Sequence, residues 1–225
     1  MNNLLNNLYT NGCSFTYGSE LLDPELDHSW DRHHENTPYR EKYCWLGRLA
    51  ERLSCKAINL SEPSCSNYAI QEKFADYIFR TYTEDTIIAV GWTSHLRMSW
   101  WDEDKSWIHD GNIRYNAEEL FNKTFKEWVT HSYKRCEHVT RNAKMFINAV
   151  CDSKNIRLIQ FDALSNSKSI NNNFHQKGRN MQDVLRAEGN RLDKEFLAPE
   201  GHPNEAGHEY YAKLLHAWIK ANKII

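Results

Sequence analysis

The sequence predicts an α/β protein of three layers, α/β/α, with a mostly parallel sheet of four to five strands. Three observations lead there. Short apolar runs alternate with stretches of helical periodicity along the 225 residues, which is the pattern of repeated strand–helix–strand units. The run Thr86-Ile87-Ile88-Ala89-Val90-Gly91 is continuous and rich in β-branched residues, as a strand covered on both faces must be. The turns that follow the first three apolar runs carry small and polar residues, and right-handed crossovers bring such turns to one carboxyl edge of a sheet.

Taken in order, the apolar run Leu4 to Tyr9 reads as a strand that breaks at Thr10-Asn11-Gly12-Cys13-Ser14-Phe15-Thr16-Tyr17-Gly18. Ser19 to Arg40, with Pro24 and Pro38 and no sustained periodicity, reads as a long loop or a broken helix. From Glu41 the spacing of Tyr43, Leu46, Leu49, Ala50 and Leu53 predicts a helix, and Ala57-Ile58-Asn59-Leu60 a short strand. Ser61 to Ser66 is a turn, after which Ser66 or Asn67 can cap a helix carrying Ile70, Phe74, Tyr77 and Ile78 on one face. The third strand, Thr86 to Gly91, leads into an irregular, aromatic-rich excursion from Trp92 to Tyr115. A long helical region runs from about Ala117 to Ser153, with a fourth strand over Ile156 to Phe161. Asp162 to Leu197, which includes the run Asn171-Asn172-Asn173, reads as loop with some short helix. A last helix starts near Asn204, with Tyr210, Leu214, Leu215, Trp218 and Ile219 facing inward.

Composition excludes several classes. A formal charge of −2, from 28 basic and 30 acidic residues well mixed, leaves no broad electrostatic footprint for nucleic acid or an anionic membrane. No apolar run approaches the ~20 residues that cross a bilayer, and Met1-Asn2-Asn3-Leu4-Leu5-Asn6-Asn7 lacks the basic and apolar regions of a signal peptide. A cytoplasmic protein is expected, and a phage-encoded one would look the same. The six cysteines, at 13, 44, 55, 65, 136 and 151, form no Cys-x-x-Cys pair and fit reduced, buried thiols. Eight tryptophans and eleven tyrosines hint at flat surfaces that contact a partner, of which sugar rings are one kind.

Ser14, presented at the end of a strand, is the candidate nucleophile. A serine needs a base to take its proton, and His202 in Ala198-Pro199-Glu200-Gly201-His202-Pro203-Asn204 is the candidate. An orienting carboxylate would fix the tautomer of that imidazole; Glu200, two residues before it, is the candidate, and if it points away the pair is a Ser–His dyad. Cys13 is the lesser candidate for nucleophile, its side chain pointing opposite to that of Ser14. His208 reads as a surface or partly buried helix residue. His28, His33 and His34, beside Asp27, Asp31 and Glu35, have metal-ligating side chains in no zinc spacing, so no metal and no cofactor are expected.

These stretches together resemble the motif blocks of the SGNH/GDSL hydrolases. Gly12-Cys13-Ser14-Phe15-Thr16-Tyr17-Gly18 is similar to the first block, with Cys13 where an aspartate is usual. Asn59-Leu60-Ser61-Glu62-Pro63-Ser64 resembles the second, with Ser64 in place of its glycine. Gly91-Trp92-Thr93-Ser94 is similar to the third, with Thr93 in place of its asparagine. His202-Pro203-Asn204 looks like the last block, although Pro199 stands three before the histidine, where the family has its acid. The resemblance implies a flavodoxin-like sandwich, one SGNH-type domain over 1–225 with insertions at about 19–40 and 95–115. It also implies an oxyanion hole from Ser14, Ser64 and Thr93, with Ser94 or Arg97 as a compensating donor.

The expected function is therefore an SGNH/GDSL serine esterase that removes acyl groups, acetyl in particular, from a carbohydrate or small-molecule ester. Trp92, Ser94, Arg97 and Trp100 are the candidate substrate contacts. The rival readings are a catalytically inactive binding or structural protein of this fold, motivated by the departures at Ser64, Thr93 and Pro199, and an acyltransferase. No nucleic-acid or membrane partner is expected, and the oligomeric state is left open.

Overall fold

Alternation along the central strands decides which side chains reach which face of the sheet. Leu8, Ile87 and Ala89 enter one buried cluster, while Tyr9, Ile88 and Val90 enter another. The computed structural model describes residues 5–26, 34–101, 107–112, 123–164, 174 and 179–225. In chain order the elements are β1 (Asn7–Gly12), α1 (Ser14–Tyr17), α2 (Thr37–Tyr43), α3 (Trp45–Leu53), β2 (Lys56–Asn59), α4 (Asn67–Arg80), β3 (Thr86–Trp92), β4 (Arg97–Trp101), β5 (Trp107–Asn112), α5 (Lys123–Ser153), β6 (Arg157–Asp162), α6 (Met181–Leu192) and α7 (Glu205–Ala221).

Four strands pair in parallel in the order β2-β1-β3-β6, with Gly12 opposite Gly91 where β1 meets β3. The cluster with Leu8 and Ile87 is closed by Trp45, Leu46 and Leu49 of α3, Met181 and Leu185 of α6, and Tyr211 and Leu215 of α7. The opposite cluster is closed by Ile70, Phe74 and Tyr77 of α4 and Ala143 and Ile147 of α5. The result is the expected three-layer α/β arrangement. Among the described residues no helix is long and apolar enough to cross a membrane.

Several elements differ from the expectation, each for a local reason. The helix expected from Glu41 is two helices broken at Cys44, whose extended backbone (φ −64°, ψ 159°) stops one and starts the other. Pro38 lies in the first turn of α2 rather than in a loop, a position where its missing N–H is not needed. In the aromatic excursion, β4 and β5 pair as an antiparallel hairpin. The polar stretch before Leu197 contains the twelve-residue helix α6, capped by Asn180, whose side chain accepts the Asp183 N–H. Its apolar face, Met181, Val184 and Leu185, is a single short stripe in an otherwise polar sequence.

Two buried polar side chains in the core have partners that matter for the fold. Lys144 of α5 and Asp162 at the end of β6 form a buried ion pair at 2.8 Å; burial pulls the lysine's pKa down and the carboxylate pulls it back up. His208, expected at the surface, is wholly buried in α7. Its Nδ1 accepts the backbone N–H of Trp45 at 3.1 Å, serving as the cap of α3, because Cys44 supplies none of its own.

Burial, with the nearby His202 as a second cause, pushes the pKa of His208 down to about 3 from 6.5. The unfolded chain therefore binds the extra proton first. Stability is intact above about pH 6.5 and declines as the pH falls, by up to ~5 kcal/mol near pH 3. His208→Asn, whose amide oxygen can still accept from Trp45, should be less stable at pH 7 yet lose less between pH 6.5 and 4 when unfolding is followed by circular dichroism. Parallel pH dependences for the two proteins would remove this role.

Candidate active site

The first half of the site is built where β1 ends. Gly12 closes the strand, Cys13 is extended, and α1 starts at once with Ser14. So tight a reversal requires bare backbone underneath it. A Cβ on Gly12 would lie 2.4 Å from Thr16 Oγ1 and 2.9 Å from the Gly91 carbonyl, and one on Gly91 would lie 2.5 Å from the same hydroxyl. The two glycines thus let α1 settle onto the edge between β1 and β3. The chain then turns through Gly18 to Glu20, which sits at φ 67° in the left-handed region, a conformation that costs a non-glycine residue about 1–2 kcal/mol.

The second half is the turn before α7. Leu197 bridges Pro203, the Ala198 N–H donates to the His202 carbonyl at 2.8 Å, and Gln182 of α6 donates to the Gly201 carbonyl at 3.1 Å. Asn204 caps α7 through the Gly207 N–H at 2.9 Å and donates its amide to the Glu195 carbonyl. These bonds hold the backbone on both sides of His202. Phe15 packs against the imidazole with ring centroids 5.1 Å apart.

The two halves meet. The Ser14 hydroxyl lies 3.0 Å from His202 Nε2, and His202 Nδ1 lies 2.8 Å from Glu20 Oε2. With the proton on Nδ1 donated to the carboxylate, Nε2 keeps a lone pair that accepts from the serine. Glu20 Oε2 also accepts the His202 N–H and Oε1 the Glu200 N–H, both at 3.1 Å. The carboxylate beside the imidazole is therefore Glu20, and the expectation for Glu200 is corrected: Glu200 is exposed and contributes its backbone. The acid comes from six residues after the serine, a distance at which no spacing rule in the sequence pointed to it.

Other expected residues are placed as follows. The loop after β2 is stitched to the serine turn by the Glu62 N–H donating to the Gly12 carbonyl at 3.2 Å. Ser64 has φ 62°, so it occupies a backbone region that favours the glycine expected there. Among the described residues no acceptor takes the amide of Ser14 or of Ser64. Thr93 is wholly buried; its N–H and carbonyl are both held by the Asn67 side chain, at 2.9 and 3.0 Å, and its hydroxyl is closed off with no partner among the described residues. That is a correction to its expected place as an open donor. Trp92 is also corrected: it is wholly buried, with its indole N–H on Gln160 Oε1 at 3.1 Å, so it is core and not a substrate contact. Ser94 accepts the Leu96 N–H at 3.3 Å. Arg97 is half-buried on β4. The side chain of Trp100, and His28 and His33 of the polar loop, lie outside the described residues.

Glu20, Glu200 and His202 bring one potential metal-ligand atom each within 4.8 Å of one another. Both nitrogens of the imidazole already have partners, so a cation there would displace the serine or the carboxylate.

No family model matches the chain, and no curated protein matches it. Solved structures do. A carbohydrate esterase, described as having an active site with divergent catalytic and non-catalytic binding functions, superposes with a TM-score of 0.50 at 10% identity, over 96% of this chain and 65% of its own. An acetyl xylan esterase from the rumen bacterium Butyrivibrio proteoclasticus gives 0.49 at 12% identity, over 96% and 64%. A member of the lipolytic G-D-S-L family from Veillonella parvula gives 0.40 at 12% identity, over 96% of each chain. The chain thus spans about two thirds of the length of the two carbohydrate esterases. At 10% identity the likeness to the first is one of fold.

The geometry makes a direct spectroscopic prediction. His202 should show a downfield Nδ1–H proton resonance in NMR, which Glu20→Ala abolishes and Glu200→Ala leaves in place. Persistence of that resonance in Glu20→Ala would mean that Glu20 does not hold the imidazole.

Proposed function

We propose that this chain is a serine esterase of the SGNH/GDSL type, with Ser14 as nucleophile, His202 as general base and Glu20 as the residue that positions the base. The continuous run of hydrogen bonds from Ser14 through His202 to Glu20 carries the reading. Ser14 Oγ attacks the ester carbonyl carbon while Nε2 takes its proton; the alcohol leaves with that proton and the acyl group stays on Ser14. Water, deprotonated by the same nitrogen, then releases the acid. The Glu20 carboxylate stabilises the imidazolium formed in each half-reaction. The amides of Ser14 and Ser64, which have no other acceptor among the described residues, are the proposed oxyanion donors, each of a kind worth ~3–4 kcal/mol in the transition state.

The substrate proposed is an acylated carbohydrate, acetylated in particular. The wealth of aromatic residues and the fold shared with a carbohydrate esterase support that choice. One observation favours a second reading, a binding protein that does not turn over: Thr93 stands where an asparagine donor is usual, and the neighbouring Asn67 amide is fully engaged with Thr93 itself and with Thr140.

A fluorophosphonate probe separates the two. The esterase reading expects covalent labelling that disappears in Ser14→Ala, whereas a folded protein that takes no label is a binder. Against p-nitrophenyl acetate, Glu20→Gln should lower kcat by ~100-fold or more, and Glu200→Gln by less than ~3-fold, in keeping with its exposed side chain. Equal losses in the two variants would return the positioning role to Glu200. Product partitioning on adding a sugar acceptor would mark acyl transfer.

A further inference from the structure

A cavity of about 350 Å³ opens at the carboxyl edge of the sheet between α4, β4 and α5, large enough for one sugar ring and its substituents. Ser66, Asn67, Arg97, Ser99, Arg135 and Thr140 are among the residues that line it, and among the described residues no aspartate or glutamate does. Asn67 ties the cavity wall to the turn after β3, the strand paired with β1: its amide donates to the Thr93 carbonyl and to the Thr140 hydroxyl.

Three features give this cavity a positive character. Arg97 lines it, and the Nη1 of its guanidinium is closed to solvent and has no hydrogen-bond partner among the described residues. That nitrogen is a desolvated donor without an acceptor, a costly state that a small displacement toward an anion in the cavity would relieve. Arg135, exposed on α5, adds a second guanidinium that forms no ion pair with any described residue. The fourteen-residue helix α4 begins at the cavity with Ser66 and Asn67, and its N-terminus carries partial positive charge. The hairpin is tied to that helix start by the Ser66 N–H, which donates to Ser99 Oγ at 3.0 Å, so Arg97 and the helix are held in one frame.

We infer that this cavity is a subsite for an oxyanion, the carboxylate or phosphate of an acidic sugar. Resting on the esterase reading, the inference makes the substrate an ester of an anionic saccharide, not of a neutral one. The planar fork of Arg97 suits a two-oxygen acceptor, and the hydroxyls of Ser99 and Thr140 suit the rest of the ring.

The test is a set of calorimetric titrations of the wild-type chain with sodium D-glucuronate, D-glucose 6-phosphate and D-glucose, which need no turnover and so stand or fall apart from probe labelling of Ser14. At least one anion should bind ~10-fold or more tightly than glucose, and the tighter of the two identifies carboxylate or phosphate as the group. Arg97→Gln should abolish the preference and Arg97→Lys should restore part of it. Arg135→Gln should weaken it if the Arg97 variants do not fold. Glucose binding as tightly as both anions, no binding of either anion, or a preference that survives in folded Arg97→Gln would each overturn the inference. Labelling of Ser14 with no anion preference would leave the esterase and remove the subsite.

Discussion

The carboxylate of Glu20 is the tie on which the site depends. It accepts the imidazole N–H of His202 and two backbone N–H groups, those of Glu200 and His202. One side chain therefore fixes the backbone of the histidine turn and the orientation of the ring together. Without that charge, the half-buried amide and ring nitrogen of His202 and the exposed amide of Glu200 would all seek other acceptors. The left-handed backbone at Glu20 is what aims it there, and such strain persists where surrounding contacts over-determine it. The neighbouring turn is in turn held by the close approach of Thr16 to Gly12 and Gly91.

Much of the fold was legible because its signals are physical and local. A strand buried on both faces must be a continuous apolar run, and Ile87 to Val90 is one. Ser14 and His202 were legible for a related reason: a small-residue turn after a strand and a histidine before a capped helix are each compatible with few structures. Glu20 was not, because a carboxylate that reaches its partner through a left-handed turn leaves no periodicity to read. Glu200 had proximity in sequence, but its side chain leaves the turn on the exposed side. Helix α6 escaped because only Met181, Val184 and Leu185 of its apolar residues are buried, which makes a faint stripe, and its burial comes from packing in the cluster with Phe196 and the sheet rather than from its own composition.

Aromatic residues illustrate how tertiary context overrides composition. Trp92 sits at the end of a strand on the active edge, where a sequence reading places a substrate contact. Its indole instead bonds Gln160, whose own amide donates to Asn148, and the Lys144 ammonium lies 5.5 Å from the ring centroid. A polar network of this kind cements β3, β6 and α5 beneath the edge, and any substrate contact must come from the layer above it.

The serine and the carboxylate lie six residues apart on one reversal of chain, whereas the imidazole arrives more than 180 residues later. Ser14 and Glu20 are thus brought together by local backbone geometry, whereas the imidazole joins them only through a long-range contact, so any folding intermediate in which the turn before α7 has not docked holds the first pair without the third group.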